Sequence, residues 1–308
     1  MSRVLITGAS GFLGRTLASV LVADGHEVTA LSRRDYASPG VRSITVDITD
    51  QERMRATTFD GHFIIHAAAA RARPEDGWEG VTHTIRVNAL GTLHMLELAQ
   101  RCGIPRLIYC SSSSIYALPQ PLPINEDGRT YPAPGPDSIY GASKLMGELL
   151  CQRIAGQAGL RCLCLRFGRL YGPGEPSGRV LADWVALATT GRELIVHGNG
   201  ERSADFLCMM DAVRAIRLAL QRGWEGGTLN VGTGRETTWR ELAETVADVF
   251  SPPGRRAPIR YVSEGSLTRC ALNVSRVREV LGFHAAVSLR AGLEAWREAI
   301  GAPVEISR

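Results

Sequence analysis

The sequence predicts an α/β protein in which a doubly wound parallel sheet is joined to a smaller, discontinuous α/β C-terminal domain. Three observations predict this. Apolar runs of strand length alternate with helical patterns through the first half of the chain, as in a parallel sheet covered on both faces. The first run, Val4-Leu5-Ile6, leads straight into Thr7-Gly8-Ala9-Ser10-Gly11-Phe12-Leu13-Gly14, which reads as a strand, a glycine turn and a helix start. Two breaks interrupt the alternation: Pro119 to Pro136, with six prolines, and Gly172-Pro173-Gly174-Glu175-Pro176. The second marks where the chain leaves the sheet.

Strands are expected at 3–7, 27–32, 42–46, 62–67, 105–111 and 161–167, and helices at 12–24, 50–56, 79–102, 138–157, 180–190, 211–222, 238–250, 274–281 and 288–299. The strand at 3–7 rests on its apolar run, and the helix after it begins near Phe12. Strand two ends in Val28-Thr29-Ala30-Leu31-Ser32-Arg33-Arg34, strand three is followed by Asp47-Ile48, and strand four ends in His66-Ala67-Ala68-Ala69. Strand five runs into Ser111-Ser112-Ser113-Ser114, and the proline-rich loop must close before a helix containing Tyr140. Cys162 and Cys164 alternate along the sixth strand and share one face, in a packing role. From Asp205 to Gly232 a short strand, a helix and Thr228-Leu229-Asn230-Val231 return the chain to the sheet. A dinucleotide-binding domain is therefore expected over 1–170 and 205–235, and a substrate-binding domain over 171–204 and 236–308.

Composition narrows the class. The 308 residues are 44% hydrophobic and 21% charged, with a net charge of +4 from 35 basic and 31 acidic residues that are intermixed. This is an ordinary globular balance with no case for a nucleic-acid partner. Seven cysteines at irregular spacing make no disulfide framework, and seven dispersed histidines suggest no metal site. The alanine-rich stretch 63–70 is too short to span a bilayer, and strand one leaves no room for a leader. A cytoplasmic location without membrane contact is expected.

The glycine turn has a chemical reading. Gly8 and Gly11 carry no Cβ, so the turn is tight and its backbone approaches a phosphate closely. The helix that follows, entered through Ser10, Phe12 and Leu13, offers unpaired N–H groups and a partial positive charge to an anion. Gly14 lets that helix pack closely on the strand. The spacing is Gly-x-x-Gly-x-x-Gly, and by itself it also fits an ordinary strand-to-helix turn.

Further along stand Ser111-Ser112-Ser113-Ser114-Ile115-Tyr116 and Tyr140-Gly141-Ala142-Ser143-Lys144. With the glycine turn, in this order, they resemble the extended short-chain dehydrogenase/reductases, and more narrowly their NAD(P)-dependent sugar-nucleotide epimerase/dehydratase branch. The resemblance runs from Val4 to about Glu298. It implies a Rossmann-type sheet, a bound dinucleotide, and hydride transfer at a carbinol or ketone carbon of a sugar, as a 4-epimerase or 4-ketoreductase of a nucleoside-diphosphate sugar. It also implies a homodimer that pairs helices 79–102 and 138–157 with those of a second copy.

Tyr140 and Lys144 lie one helical turn apart on one face. Phenol ionises near ~10, too high for a base at neutral pH, and a nearby ammonium favours the phenolate. The resemblance makes Tyr140 the acid/base and has Lys144 also hold the nicotinamide ribose. The family's Ser/Thr lies four residues before the Tyr of a Val-Tyr-Gly element, here Tyr116, which selects Ser112. Ser113 is the fallback, placed next to the substrate. Family dehydratases carry an Asp-Glu pair after that Ser/Thr, whereas this chain has Ser113 and Ser114, so dehydration is not expected.

At the end of strand two an acidic residue usually selects NAD. Ser32, Arg33 and Arg34 suit a 2′-phosphate instead, which favours NADP, unless the arginines are solvated loop charges. By resemblance Asp47 and Ile48 meet the adenine, although Asp47 also fits a helix cap. His66, Ala67 and Ala68 line the nicotinamide half, where His66 need not do chemistry, and Asn88 either supports this edge or is a buried structural amide. Leu165-Arg166-Phe167-Gly168-Arg169-Leu170-Tyr171-Gly172-Pro173-Gly174 follows the family pattern, but Arg169 replaces an Asn that contacts substrate phosphate. Ala204 replaces the arginine of an Arg-Asp-Phe element, and Arg202 stands two residues earlier as its substitute. Ala204 keeps open a non-nucleotide carbonyl or alcohol substrate. A catalytically silent NADP-binding protein is the remaining alternative.

Overall fold

The computed structural model describes residues 1–131, 138–262 and 267–301. Pro132, Pro134 and Pro136 of the expected loop, and the last residues of the expected second domain, lie outside the described residues. The first half alternates as β1 (Arg3–Thr7), α1 (Phe12–Ala23), β2 (Glu27–Ser32), β3 (Val41–Thr45), α2 (Gln51–Ala56), β4 (Phe63–His66), α3 (Gly77–Ile85), α4 (Gly91–Arg101), β5 (Arg106–Ser112), α5 (Ser138–Ala158) and β6 (Arg161–Phe167). The second half adds β7 (Arg169–Tyr171), α6 (Val180–Ala188), β8 (Leu194–His197), β9 (Ser203–Ala204), β10 (Phe206–Cys208), α7 (Met209–Gln221) and β11 (Gly227–Val231). It ends with β12 (Thr237–Thr238), α8 (Trp239–Phe250), β13 (Ile259–Val262), α9 (Ser275–Leu281) and α10 (Leu289–Gly301).

Seven strands form one sheet in the order β11-β6-β5-β4-β1-β2-β3, and every pairing in it is parallel. The period of two sorts the side chains between its faces. Val4, Ile6, Phe63, Ile65, Ile108, Cys110, Leu163 and Leu165 enter one core, under α1, α7 and α9. Leu5, Ile64, Leu107, Tyr109, Cys162 and Cys164 enter the other, under α2, α4 and α5. Both faces are apolar because both are covered, so these strands read as continuous apolar runs. All seven cysteines are free thiols.

The strand order reverses between β1 and β4, the switch point of a doubly wound sheet. A third core gathers residues of α6, β8, β10, α8, β13 and α10 around Trp184, Trp239 and Trp296. α9 by contrast lays Val277 and Leu281 on the central core.

Two differences from the expected elements matter. The helix expected at 79–102 is α3 and α4 joined by a single π turn, Arg86–Leu90. The turn inserts one extra residue where Asn88 must reach sideways, and a Cβ on Gly91 would lie 2.6 Å from Ile48 Cδ1. The strands β7, β8, β9, β12 and β13 lie outside the expected strands. They are two to four residues long, too short for a period of two to show.

Candidate active site

The glycine turn follows β1 at the switch point beside β4, the place where a doubly wound sheet takes its ligand. Gly8 has φ +70°, and a Cβ there would lie 2.7 Å from Ala68 N. A Cβ on Gly14 would lie 2.1 Å from Gly8 O, which fixes how closely α1 crosses the turn. Gly11 N donates to Gly8 O at 2.9 Å. Gly11 is also the N-cap of α1, and no side chain caps that helix. The cradle that side chains would fill, facing an uncapped helix N-terminus, fits a dinucleotide diphosphate. Phe12 and Leu13 pack on the central core, and Ser10 is exposed at the turn.

Ser32 Oγ donates to Arg34 O at 2.5 Å, which folds the end of β2 and leaves Arg33 and Arg34 exposed beside it. Asp47 Oδ1 accepts from Thr49 N and Thr49 Oγ1, both at 2.8 Å. The N-cap of α2 is Asp50, three residues on. Ile48 is buried, and its carbonyl accepts from His94 Nδ1 at 2.7 Å.

Behind β4 runs a chain of hydrogen bonds. Ala68 N donates to Thr7 Oγ1 at 3.1 Å, and Thr7 Oγ1 lies 2.6 Å from His66 Nδ1. His66 Nε2 lies 3.0 Å from Thr92 Oγ1, which itself donates to Asn88 O at 2.6 Å. Because Thr92 gives its proton to Asn88 O, its oxygen can only accept from His66, so the proton of neutral His66 resides on Nε2 and Nδ1 accepts from Thr7. Burial, aided by Lys144, pushes His66 down to about 3, so it stays neutral. Asn88 closes the network. Its amide pairs with both Ala70 N and Ala70 O, and its Nδ2 donates to Ser143 Oγ at 2.8 Å. Ser143 Oγ in turn donates to Tyr140 O at 2.8 Å. Asn88 therefore ties the loop after β4 to the turn of α5 that carries Tyr140.

On that turn Lys144 is fully buried, with its ammonium 4.2 Å above the Tyr109 ring centroid. Burial lowers Lys144 to about 8, while Cys110 and Glu148 nearby pull it back up. Tyr140 sits beside it, and the Arg71 guanidinium lies 5.6 Å from the Tyr140 ring centroid. α5 packs on β5 and on the short turn Ser113–Ile115, which brings Ser112 and Ser113 alongside. Ser112 Oγ donates to Ser114 Oγ and accepts from Ser114 N, each at 3.1 Å. Farther along α5, Glu148 accepts from Arg166 Nε at 3.0 Å and Nη2 at 2.7 Å. Arg166 Nη1 donates to Tyr116 OH at 2.8 Å and to Glu126 O at 2.6 Å. Tyr116 is thus a buried pin for the loop after Ser112.

A cleft of about 400 Å³ opens at Tyr140, lined by Ala72, Arg73, Gly77, Trp78, Val81 and Ile139. On the side of the third core, Arg169 and Arg202 lie over one indole, 5.3 and 5.0 Å from the Trp239 ring centroid. The two arginines singled out in the sequence therefore converge. Ala204 sits in β9 opposite Thr237. Sequence reasoning missed Arg71, Arg73, Trp78, Thr92 and Tyr109. Only Tyr109 had a signal, as a ring on the strand ahead of the serine run. Among the described residues no His, Cys, Asp or Glu cluster could hold a metal. No helix among them is long and apolar enough to cross a membrane.

Comparison with known proteins gives this geometry its context. The chain is 31% identical over 309 aligned residues to UDP-glucose 4-epimerase of Mycolicibacterium smegmatis, covering 94% of this chain and 96% of the relative. It is 28% identical to UDP-glucuronic acid decarboxylase 1 of Xenopus tropicalis, covering 94% of this chain and 70% of that protein. Among solved structures, MoeE5 in complex with UDP-glucose and NAD superposes with a TM-score of 0.83 at 30% identity, covering 97% of this chain and 98% of the other. The epimerase Mth375 of Methanothermobacter thermautotrophicus superposes at 0.86 with 25% identity, covering 97% and 92%. A single family model spans residues 4–232, from β1 to the end of β11. With its glycine cradle at the switch point and Tyr140 and Lys144 on α5, the chain belongs to the NAD dependent epimerase/dehydratase family.

Proposed function

We propose that this enzyme is a 4-epimerase of a nucleoside-diphosphate sugar, with Tyr140 as its acid/base. The observation that carries the reading is the cleft with Tyr140 in its wall, one helical turn from a buried lysine. The nicotinamide, when bound, supplies the acceptor and donor of hydride. Tyr140 takes the hydroxyl proton as the carbinol is oxidised and returns it as the ketone is reduced. The Lys144 charge, poorly screened in its buried site, favours the phenolate that this step needs. Ser112 hydrogen-bonds the reacting oxygen, and Ser113 lies next to the sugar. Arg169 and Arg202 bind the substrate diphosphate as a pair, in place of the arginine lost at Ala204.

The remaining assignments belong to the same reading. Gly8, Ser10, Gly11, Phe12, Leu13 and Gly14 cradle the cofactor diphosphate, Asp47 and Ile48 meet the adenine, and His66, Ala67 and Ala68 back the nicotinamide. Asn88 holds that wall to α5. Arg33 and Arg34 suit a 2′-phosphate, and this favours NADP and a second reading, a 4-ketoreductase that exchanges NADPH each turn. The dinucleotide-binding part comprises 1–170 and 205–235, supported by the entry of β11 into the sheet. The substrate part comprises 171–204 and 236–308, supported for α6, β8, α8, β13 and α10 by the separate third core, while α9 packs on the central core. The enzyme works as a homodimer, and its seven free cysteines suit the reducing cytoplasm.

Tyr140→Phe tests the acid/base assignment. The variant is expected to bind cofactor as the parent does and to lose about 10²–10⁴-fold in turnover with UDP-hexoses. Retained turnover would remove Tyr140 from the mechanism. Mass spectrometry of the nucleotide released on denaturation separates the two readings. Stoichiometric bound cofactor supports the epimerase, and empty protein that prefers NADPH to NADH supports the reductase.

A further inference from the structure

The loop that leaves β7 crosses back over the start of α1. Arg15 Nη2 donates to Gly174 O at 2.9 Å. Gly174 has φ +78°, a conformation that favours glycine, and a Cβ on it would lie 2.4 Å from that guanidinium. Five residues on, Arg179 sets its guanidinium 5.9 Å from the ring centroid of Phe12, the first residue of α1. Two guanidiniums thus crowd a helix end that is itself positive, and Arg169 faces the same loop.

Counter-charge at this place is short. Glu175 Oε1 lies 3.9 Å from Arg179 Nη1 with only 3% of the glutamate side chain exposed. Its Oε2 is buried without a hydrogen-bond partner. Burial raises Glu175 to about 7 even though Arg179 and Arg169 pull it down. Asp183, the next carboxylate, accepts from Gly178 N at 2.9 Å. Cations gathered at an uncapped helix N-terminus, with a carboxyl shifted towards its neutral form, favour an anion between them. A neutral Glu175 can itself donate a hydrogen bond to that anion.

We propose that Arg179 is a ligand of the cofactor diphosphate and that the loop from Gly172 to Arg179 is the strap that holds the dinucleotide. The inference rests on the reading of the glycine turn as a dinucleotide site. It adds a link between the two halves of the enzyme, because the strap starts from β7, which carries Arg169. Substrate phosphate drawn to Arg169 would then tighten the strap over the cofactor.

The test is calorimetric titration of the full chain with ADP-ribose, which has the diphosphate but no nicotinamide. Arg179 is half-exposed, so R179Q is expected to fold, which a thermal melt checks. R179Q should bind ADP-ribose at least about tenfold more weakly, the scale of one charge-assisted hydrogen bond, and R179K should recover most of the loss. Equal binding by R179Q and the parent would overturn the proposal, and so would an R179K as weak as R179Q. A parent that binds no ADP-ribose would overturn the dinucleotide reading itself.

Discussion

Lys144 is 1% exposed, so its ammonium is held by the Tyr109 ring and neighbouring dipoles instead of water. Burial places its folded pKa at about 8, below the ordinary 10.5. The sign of the linkage follows. Below about pH 8 the lysine is charged in both states and the full desolvation cost is present. Between about 8 and 10.5 the unfolded chain keeps a proton that the folded chain has released, so stability rises with pH, by up to about 3 kcal/mol. Urea denaturation of the parent and Lys144→Met should therefore show the parent gaining on the variant from pH 7.5 to 10. Parallel profiles would mean that Lys144 titrates normally. Tyr140 and Lys144 were legible in sequence because a spacing of four on one helix is a local property. The Thr7–His66–Thr92–Asn88 chain was not, since it joins separate segments that only the fold brings together. Arg71 and Trp78 were hidden for another reason: they lie on an exposed stretch whose residues have no period to read.

At the scale of elements, α5 is pinned to the molecule at both ends of its catalytic stretch. Asn88 holds Ser143 from the π turn, and Arg166 on β6 holds Glu148 with both partners nearly inaccessible. A buried ion pair adds little over apolar packing, but removing one partner strands the other charge. Glu148→Ala should thus cost about 3–5 kcal/mol of stability, with activity falling as the register of α5 loosens. Urea denaturation measures it, and a loss below about 1 kcal/mol would show that water or a shifted side chain satisfies Arg166. The long strands of the sheet were legible because burial on both faces makes them unbroken apolar runs. The π turn was not, because a single inserted residue leaves the helical composition around it unchanged.

At the scale of the whole molecule, the parallel sheet covered on both faces followed from the alternation of strands and helices. The strand order and its switch point, by contrast, depend on pairings between distant segments and came only with the structure. The partner surface needs the exposures. Ile139, Met146 and Leu149 are 40–50% exposed and follow one stripe along α5, opposite the buried face of Lys144, Cys151 and Ala155. Ile85 and Leu90, on α3 and the π turn packed beside α5, are also exposed. Five large apolar side chains on adjoining helices form a patch that a monomer seldom leaves in water. A second copy docked through a twofold axis would cover it with the same patch, as the proposed homodimer requires. α5 also carries Tyr140, one residue after Ile139, so the two active sites would flank the interface. Met146→Glu combined with Leu149→Arg should convert the dimer to monomer in light scattering, with the fold retained because neither residue enters a core. A parent protein that is already monomeric at micromolar concentration would sink the homodimer. A double variant that stays dimeric would move the interface elsewhere.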